Sequence, residues 1–147
     1  MDDFTAGRHL IFTGYASPDA TDNLNDPDYL ADVLHDAIAS VGMTILVPAK
    51  MVHVPLDPNK AEGGLDCGGV TGTAILSTSH VSIHTWPLHR RVAFDLYSCH
   101  DFDTTKVLEL LVARLNLTGG EVVNLTRSPQ PELRGSFKYL NLGSDRK

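Results

Sequence analysis

A chain of 147 residues fits one compact domain, long enough to bury a core without disulfide or metal staples. Its net charge of -6 and scattered Lys and Arg argue against a nucleic-acid surface, and no apolar run is long enough to cross a bilayer as a helix. The acidic opening MDDFTAGRHL lacks the basic, apolar and small-residue zones of a secretory signal, so the expectation is a soluble, cytoplasmic protein without membrane or nucleic-acid partners.

Residues 8–15, RHLIFTGY, are apolar and β-prone and predict an opening strand. In NDPDYLADVLHDAIASVG, Asp26 is placed as an N-cap, Pro27 as the first helical residue and Gly42 as the terminator. Leu30, Val33, Leu34, Ala37, Ile38 and Val41 recur at helical spacing and give that helix one buried stripe. MTILVPAKMVHV predicts a strand bent at Pro48, and the Pro, Gly and Asp of residues 55–69 predict a loop.

VTGTAILS and SHVSIHTW are two β-prone runs meeting at Thr78 and Ser79, with no Gly, Asn or Pro between them to turn the chain. RVAFDLYSC alternates as a further strand; Asp103 is placed as the cap of a second helix, TTKVLELLVARLN; GEVVNLTRS predicts a last strand. The polar stretch 129–147 is expected to be a loosely ordered tail. The order predicts a single α+β domain over residues 1–147, a two-layer sandwich of a mainly antiparallel sheet with helices on one face.

On an extended SHVSIHTW, Val81, Ile83 and Thr85 face the core, while His80, Ser82, His84 and Trp86 share the other face. The pattern alone leaves structural histidines, a metal set extended by His89 or His100, and a catalytic site all open; no recognised zinc spacing is present. Cys67 and Cys99 belong to no metal spacing and read as reduced thiols. Phosphate loops, a GxSxG elbow and a lysine cluster suited to pyridoxal phosphate are missing.

The run Gly69 to Cys99, GVTGTAILSTSHVSIHTWPLHRRVAFDLYSC, resembles the core of the small bacterial and archaeal S-adenosylmethionine decarboxylases, usually written as an ESH-IHTWPE block followed by an aromatic-Thr-Cys-Gly. GRHL near the start matches that family too, and the likeness covers most of residues 7–127. The resemblance implies a pyruvoyl-dependent carboxy-lyase of polyamine (spermidine) biosynthesis that is made as a zymogen. Ser79 attacks the Thr78 carbonyl, the ester eliminates, and the chain separates into a β chain 1–78 and an α chain 79–147. The α chain carries a covalent pyruvoyl group derived from Ser79, which forms a Schiff base with the substrate amine. By the same resemblance His84 and Thr71 assist processing, Cys99 is the proton donor, and Trp86, Leu88 and Asp95 lie at substrate-binding positions; family members form dimers with shared sites, so at least a homodimer is expected. A break at residue 78 also offers an account of two strands meeting without turn residues.

Two departures concern the nucleoside. Leu88 stands where the family has a Glu that accepts from the ribose hydroxyls, and residues 51–69 offer no aromatic to stack on adenine. An unpartnered buried hydroxyl costs about 1–3 kcal/mol. The alternative is therefore the same chemistry on ornithine or arginine, with Asp66, Asp95 or Asp101 facing the distal cation. A non-catalytic regulatory relative is the remaining reading, against which Ser79, His84 and Cys99 stand together.

Overall fold

The computed structural model describes residues 6–60, 67–128 and 136–141. In chain order its elements are β1 (Gly7–Ala16), α1 (Thr21–Leu24), α2 (Pro27–Ser40), β2 (Ile45–Val54), β3 (Gly69–Leu76), β4 (Ser79–Trp86), β5 (Arg91–Ser98), α3 (Thr104–Leu115), β6 (Leu117–Arg127) and β7 (Ser136–Asn141). The strands form one sheet in the order β2-β3-β4-β5-β1-β6-β7, each neighbouring pair antiparallel. This is the predicted α+β sandwich.

Period-two alternation puts one side chain in two against the helices. Leu10 and Phe12 of β1, Val81 and Ile83 of β4, and Phe94 and Leu96 of β5 meet the α2 stripe of Leu30, Val33, Leu34, Ala37 and Ile38, and Val107, Leu111 and Leu115 of α3, in one buried core. Asp26 caps α2 by accepting from the Asp28 and Tyr29 amides, and Gly42 follows its end at φ 70°. Asp103 caps α3 through the Lys106 amide. At Pro48 the β2–β3 register shifts, and the freed Ala49 amide donates to His35 Nε2 of α2 at 3.0 Å. The buried Thr85 hydroxyl donates to the Leu24 carbonyl at 2.7 Å and accepts from the Val70 amide at 3.1 Å, tying α1 to the β3–β4 hairpin.

Two expectations are corrected. The strands meeting at residue 78 are joined by a two-residue turn, Ser77–Thr78, with Leu76 paired to Ser79. The turn signal was missing because the positive φ falls on Ser79, at 156°, instead of on a Gly or Asn. Within the stretch expected to be a loose tail, Ser136–Asn141 forms the edge strand β7 against β6; the rest of that stretch lies outside the described residues.

Gly69 opens β3 at φ 136°, and a Cβ there would lie 2.0 Å from the Thr85 carbonyl oxygen. Gly69→Ala therefore combines backbone strain with a clash against a strand that cannot yield, and is expected to cost at least about 2 kcal/mol. The measurement is a fall in the urea midpoint at unchanged m-value.

Candidate active site

The open face of the sheet, opposite the helices, carries His9, Ile11 and Thr13 of β1, Thr71, Thr73 and Ile75 of β3, His80, Ser82, His84 and Trp86 of β4, and Ala93, Asp95 and Tyr97 of β5. Among the described residues no helix lies over it. Its chemistry collects in two places.

The first is the Thr78–Ser79 peptide. Ser79 is paired with Leu76 on one side and Ser98 on the other, so its backbone is held between two strands while its φ of 156° lies where L-residues are rarely found. The Thr78 carbonyl accepts a hydrogen bond from the Cys99 amide at 2.9 Å. That donor points at the oxygen on which negative charge develops if the carbonyl carbon is attacked. Cys99 itself is a half-buried free thiol, placed at this peptide by the end of β5. The Thr78 hydroxyl is buried with no hydrogen-bond partner.

Around the junction lies a polar cluster. His80 Nδ1 is 3.0 Å from Ser79 Oγ, and its Nε2 is 3.5 Å from Asp95 Oδ2. His9 Nε2 lies 2.9 Å from the same Oδ2, and the Ser82 hydroxyl donates to Oδ1. Burial pushes the Asp95 carboxyl up, but the hydrogen bonds from Ser82 and His9 and the electrostatic attraction of the neighbouring His9 and His80 imidazoles outweigh it and leave Asp95 below its ordinary value. The Tyr97 ring sits 5.6 Å from His9 and 5.9 Å from His80, and Arg127 lies over it at 4.0 Å. Among the described residues no three His, Cys, Asp or Glu side chains form a metal site.

The second place is farther along the hairpin. Thr71 Oγ1 is 3.0 Å from His84 Nδ1 across the β3–β4 pair, His84 stacks on Trp86 at 6.1 Å, and Arg91 lies over the indole at 5.3 Å. A shallow cavity of about 160 Å³ is lined here by Val54, Gly69, Thr71, His84 and Trp86. Leu88 is half-buried in the turn Pro87–His89 that follows. Five residues of extended chain separate Ser79 from His84, roughly 16 Å at the usual rise. The structure thus brings Thr78, Ser79 and Cys99 together and Thr71, His84 and Trp86 together, but not the one set with the other. Asp101 is bound by Arg8 Nε at 2.9 Å, and Asp66 lies outside the described residues.

The family described as S-adenosylmethionine decarboxylase matches residues 8–128, most of the chain. The chain belongs to that family. The S-adenosylmethionine decarboxylase proenzyme of Symbiobacterium thermophilum is 35% identical over 120 residues, 81% of this chain and 78% of that protein. The proenzyme of Geobacillus kaustophilus is 30% identical over 127 residues, 86% of this chain and 91% of that protein. The crystal structure of the adenosylmethionine decarboxylase from Aquifex aeolicus shares the fold with a TM-score of 0.56 and 20% identity, covering 97% of each chain.

Two features of this family member escape sequence reasoning. The contact between His80 and Ser79 is hidden because neighbours on a strand normally face opposite ways; Ser79 departs from the extended strand value of φ, near -120° to -140°, and its hydroxyl meets the next imidazole. The Cys99 amide leaves no trace in the sequence at all, since every residue but proline carries one. Asp95 is legible as a polar residue on an alternating strand, but not as the carboxylate that two histidines share.

Proposed function

We propose that this chain is the precursor of a pyruvoyl-dependent decarboxylase that cuts itself between Thr78 and Ser79 and acts on S-adenosylmethionine. The observation that carries the reading is the junction: a strained serine whose preceding carbonyl receives a fixed N–H donor from Cys99. Attack of Ser79 Oγ on the Thr78 carbonyl carbon places the oxyanion against that donor and lets the backbone leave a disfavoured φ. The N–C bond breaks and an ester forms. Loss of the Ser79 α-proton, the task assigned to His84 by resemblance, expels the Thr78 carboxylate and leaves a dehydroalanine head. Its enamine takes up water and releases ammonia. The word proenzyme in the names of the relatives fits this sequence of events.

The residues of the junction fit a pyruvoyl group at position 79, with the Cys99 backbone amide on the Thr78 carbonyl and the His9, His80 and Asp95 cluster alongside. Such a group supplies an electron-poor carbonyl through which a bond to a leaving carboxylate is weakened. Cys99 would return a proton to the substrate α-carbon, a role within reach of a thiol.

Thr71 and His84 then act on a second copy. An extended strand cannot fold back to bring His84 to its own Ser79, and the open face that carries it also exposes Val52, Val54, Ile75 and Tyr15, between 48% and 62% accessible. A homodimer packed on this face would cover that apolar surface and deliver each His84 to a partner junction.

A second substrate reading rests on Leu88, which offers no acceptor for ribose hydroxyls, and turns the same chemistry on ornithine or arginine. Asp95 and Asp101 already have partners within the chain, which weakens the cation-binding half of that reading. The test joins mass spectrometry to CO2 release from carboxyl-labelled S-adenosylmethionine, ornithine and arginine. Two fragments are expected, 1–78 and 79–147, the second lighter than a serine-headed chain by one ammonia, with release from S-adenosylmethionine. Release only from an amino acid would move the substrate, and an intact chain releasing nothing would support the non-catalytic reading.

A further inference from the structure

We propose that His80 is the general base that takes the Ser79 hydroxyl proton in the acyl shift, and that Asp95 is the positioning residue that holds its imidazole in the competent tautomer. The inference rests on the self-cleavage reading and assigns a step to a residue which that reading leaves idle.

The geometry carries it. His80 Nδ1 lies 3.0 Å from Ser79 Oγ, the distance at which a proton passes between a hydroxyl and a ring nitrogen. Which nitrogen holds the proton is decided at the other end of the ring. Nε2 lies 3.5 Å from Asp95 Oδ2, and a carboxylate on that side, which can only accept, favours the tautomer with its hydrogen on Nε2 and the Nδ1 lone pair turned to the hydroxyl. Asp95 is kept anionic by the Ser82 hydroxyl on Oδ1 and by His9 Nε2 on Oδ2, so the orienting charge persists. The remaining groups around the ring are Tyr97 and Arg127, the latter engaged over the Tyr97 face, and Ile75 opposite on β3. Of the other imidazoles on the open face, His9 is bound to Asp95, and His84 is roughly 16 Å along the strand with its Nδ1 on Thr71.

The step balances as an isomerisation. The Ser79 O–H proton moves to His80 Nδ1 as Oγ bonds to the Thr78 carbonyl carbon, and the charge rests on the oxygen facing the Cys99 amide. The imidazolium then gives the proton to the Ser79 nitrogen as the C–N bond breaks, leaving an ester and a free amine. Nothing enters or leaves. Base catalysis of this kind is worth about 10²- to 10⁴-fold.

The test follows cleavage of freshly translated full-length chains by intact mass, with hydroxylamine added to trap esters. In wild type both fragments appear. His80→Gly is expected to slow cleavage by at least about 10²-fold, to yield little hydroxylamine-released fragment 1–78, and to recover rate in proportion to added imidazole. His84→Ala is expected to give that fragment readily with hydroxylamine, because its ester still forms. Asp95→Asn should slow cleavage in the wild-type background but add nothing to His80→Gly, whereas a merely structural loss would add. Should His80→Gly fail to fold by circular dichroism, His80→Gln, of similar bulk, carries the same comparison. Wild-type cleavage rates in the His80 variant, or as much trapped ester as in His84→Ala, would overturn the assignment. An uncut wild-type chain would instead overturn the self-cleavage reading beneath it.

Discussion

Ser79→Ala is expected to remain a single chain of 147 residues and to release no CO2 from any of the three labelled substrates. The substitution removes one oxygen, and its structural cost is small: the lost contact is a half-buried hydrogen bond to His80 Nδ1, worth about 0.5–1.5 kcal/mol. The chemical cost is total, because no other hydroxyl replaces the nucleophile. Ser77 lies two residues away in the turn, and the Thr78 hydroxyl belongs to the residue under attack. The contrast between a nearly unchanged unfolding midpoint and complete loss of cleavage separates a chemical role from a packing one. Fragmentation of Ser79→Ala at residue 78, or full turnover by it, would end the self-processing account.

Much of the frame could be read before any coordinates. The α2 stripe and its Asp26 cap, the break at Pro48, the Asp103 cap and the core parity of Val81, Ile83 and Thr85 follow from local rules of period and capping that tertiary structure did not override. What escaped reading was made by tertiary contact. Ser77–Thr78 closes a hairpin with no glycine because the turn strain is carried by Ser79 itself, in a conformation that sequence rules reserve for other residues. Residues 136–141 are polar enough to read as a tail, yet an edge strand needs only a ladder on one side, which β6 supplies. The chemistry divided in the same way. Ser79, His84 and Cys99 were legible through a likeness of sequence, whereas a likeness of sequence states no distances. Within one chain the strand rise keeps His84 well away from Ser79 and Cys99.

That division leads to the second large effect. A His84→Ala chain on its own is expected to stall, and a Ser79→Ala chain on its own is expected never to cut, yet the two co-expressed should restore cleavage of the His84→Ala chains. The reason is the direction of each defect. In a mixed dimer one junction joins an intact Ser79 to the intact His84 of the Ser79→Ala partner, while the other junction lacks both. One chain of the two is therefore cut, and its fragment 79–147 carries the His84→Ala mass, which marks it without ambiguity, while fragment 1–78 is the same for either chain. Against a general acid–base contribution of about 10²- to 10⁴-fold, the gain in cleavage on mixing should exceed about 10²-fold. A site complete within one chain would show no gain, since each variant would keep its own defect whatever its partner. Cleavage of His84→Ala alone at the wild-type rate would remove His84 from processing altogether. Either result would require Ser79 to reach its proton acceptors along its own strand, where the group in contact is His80 and the next imidazole, His84, lies five residues on.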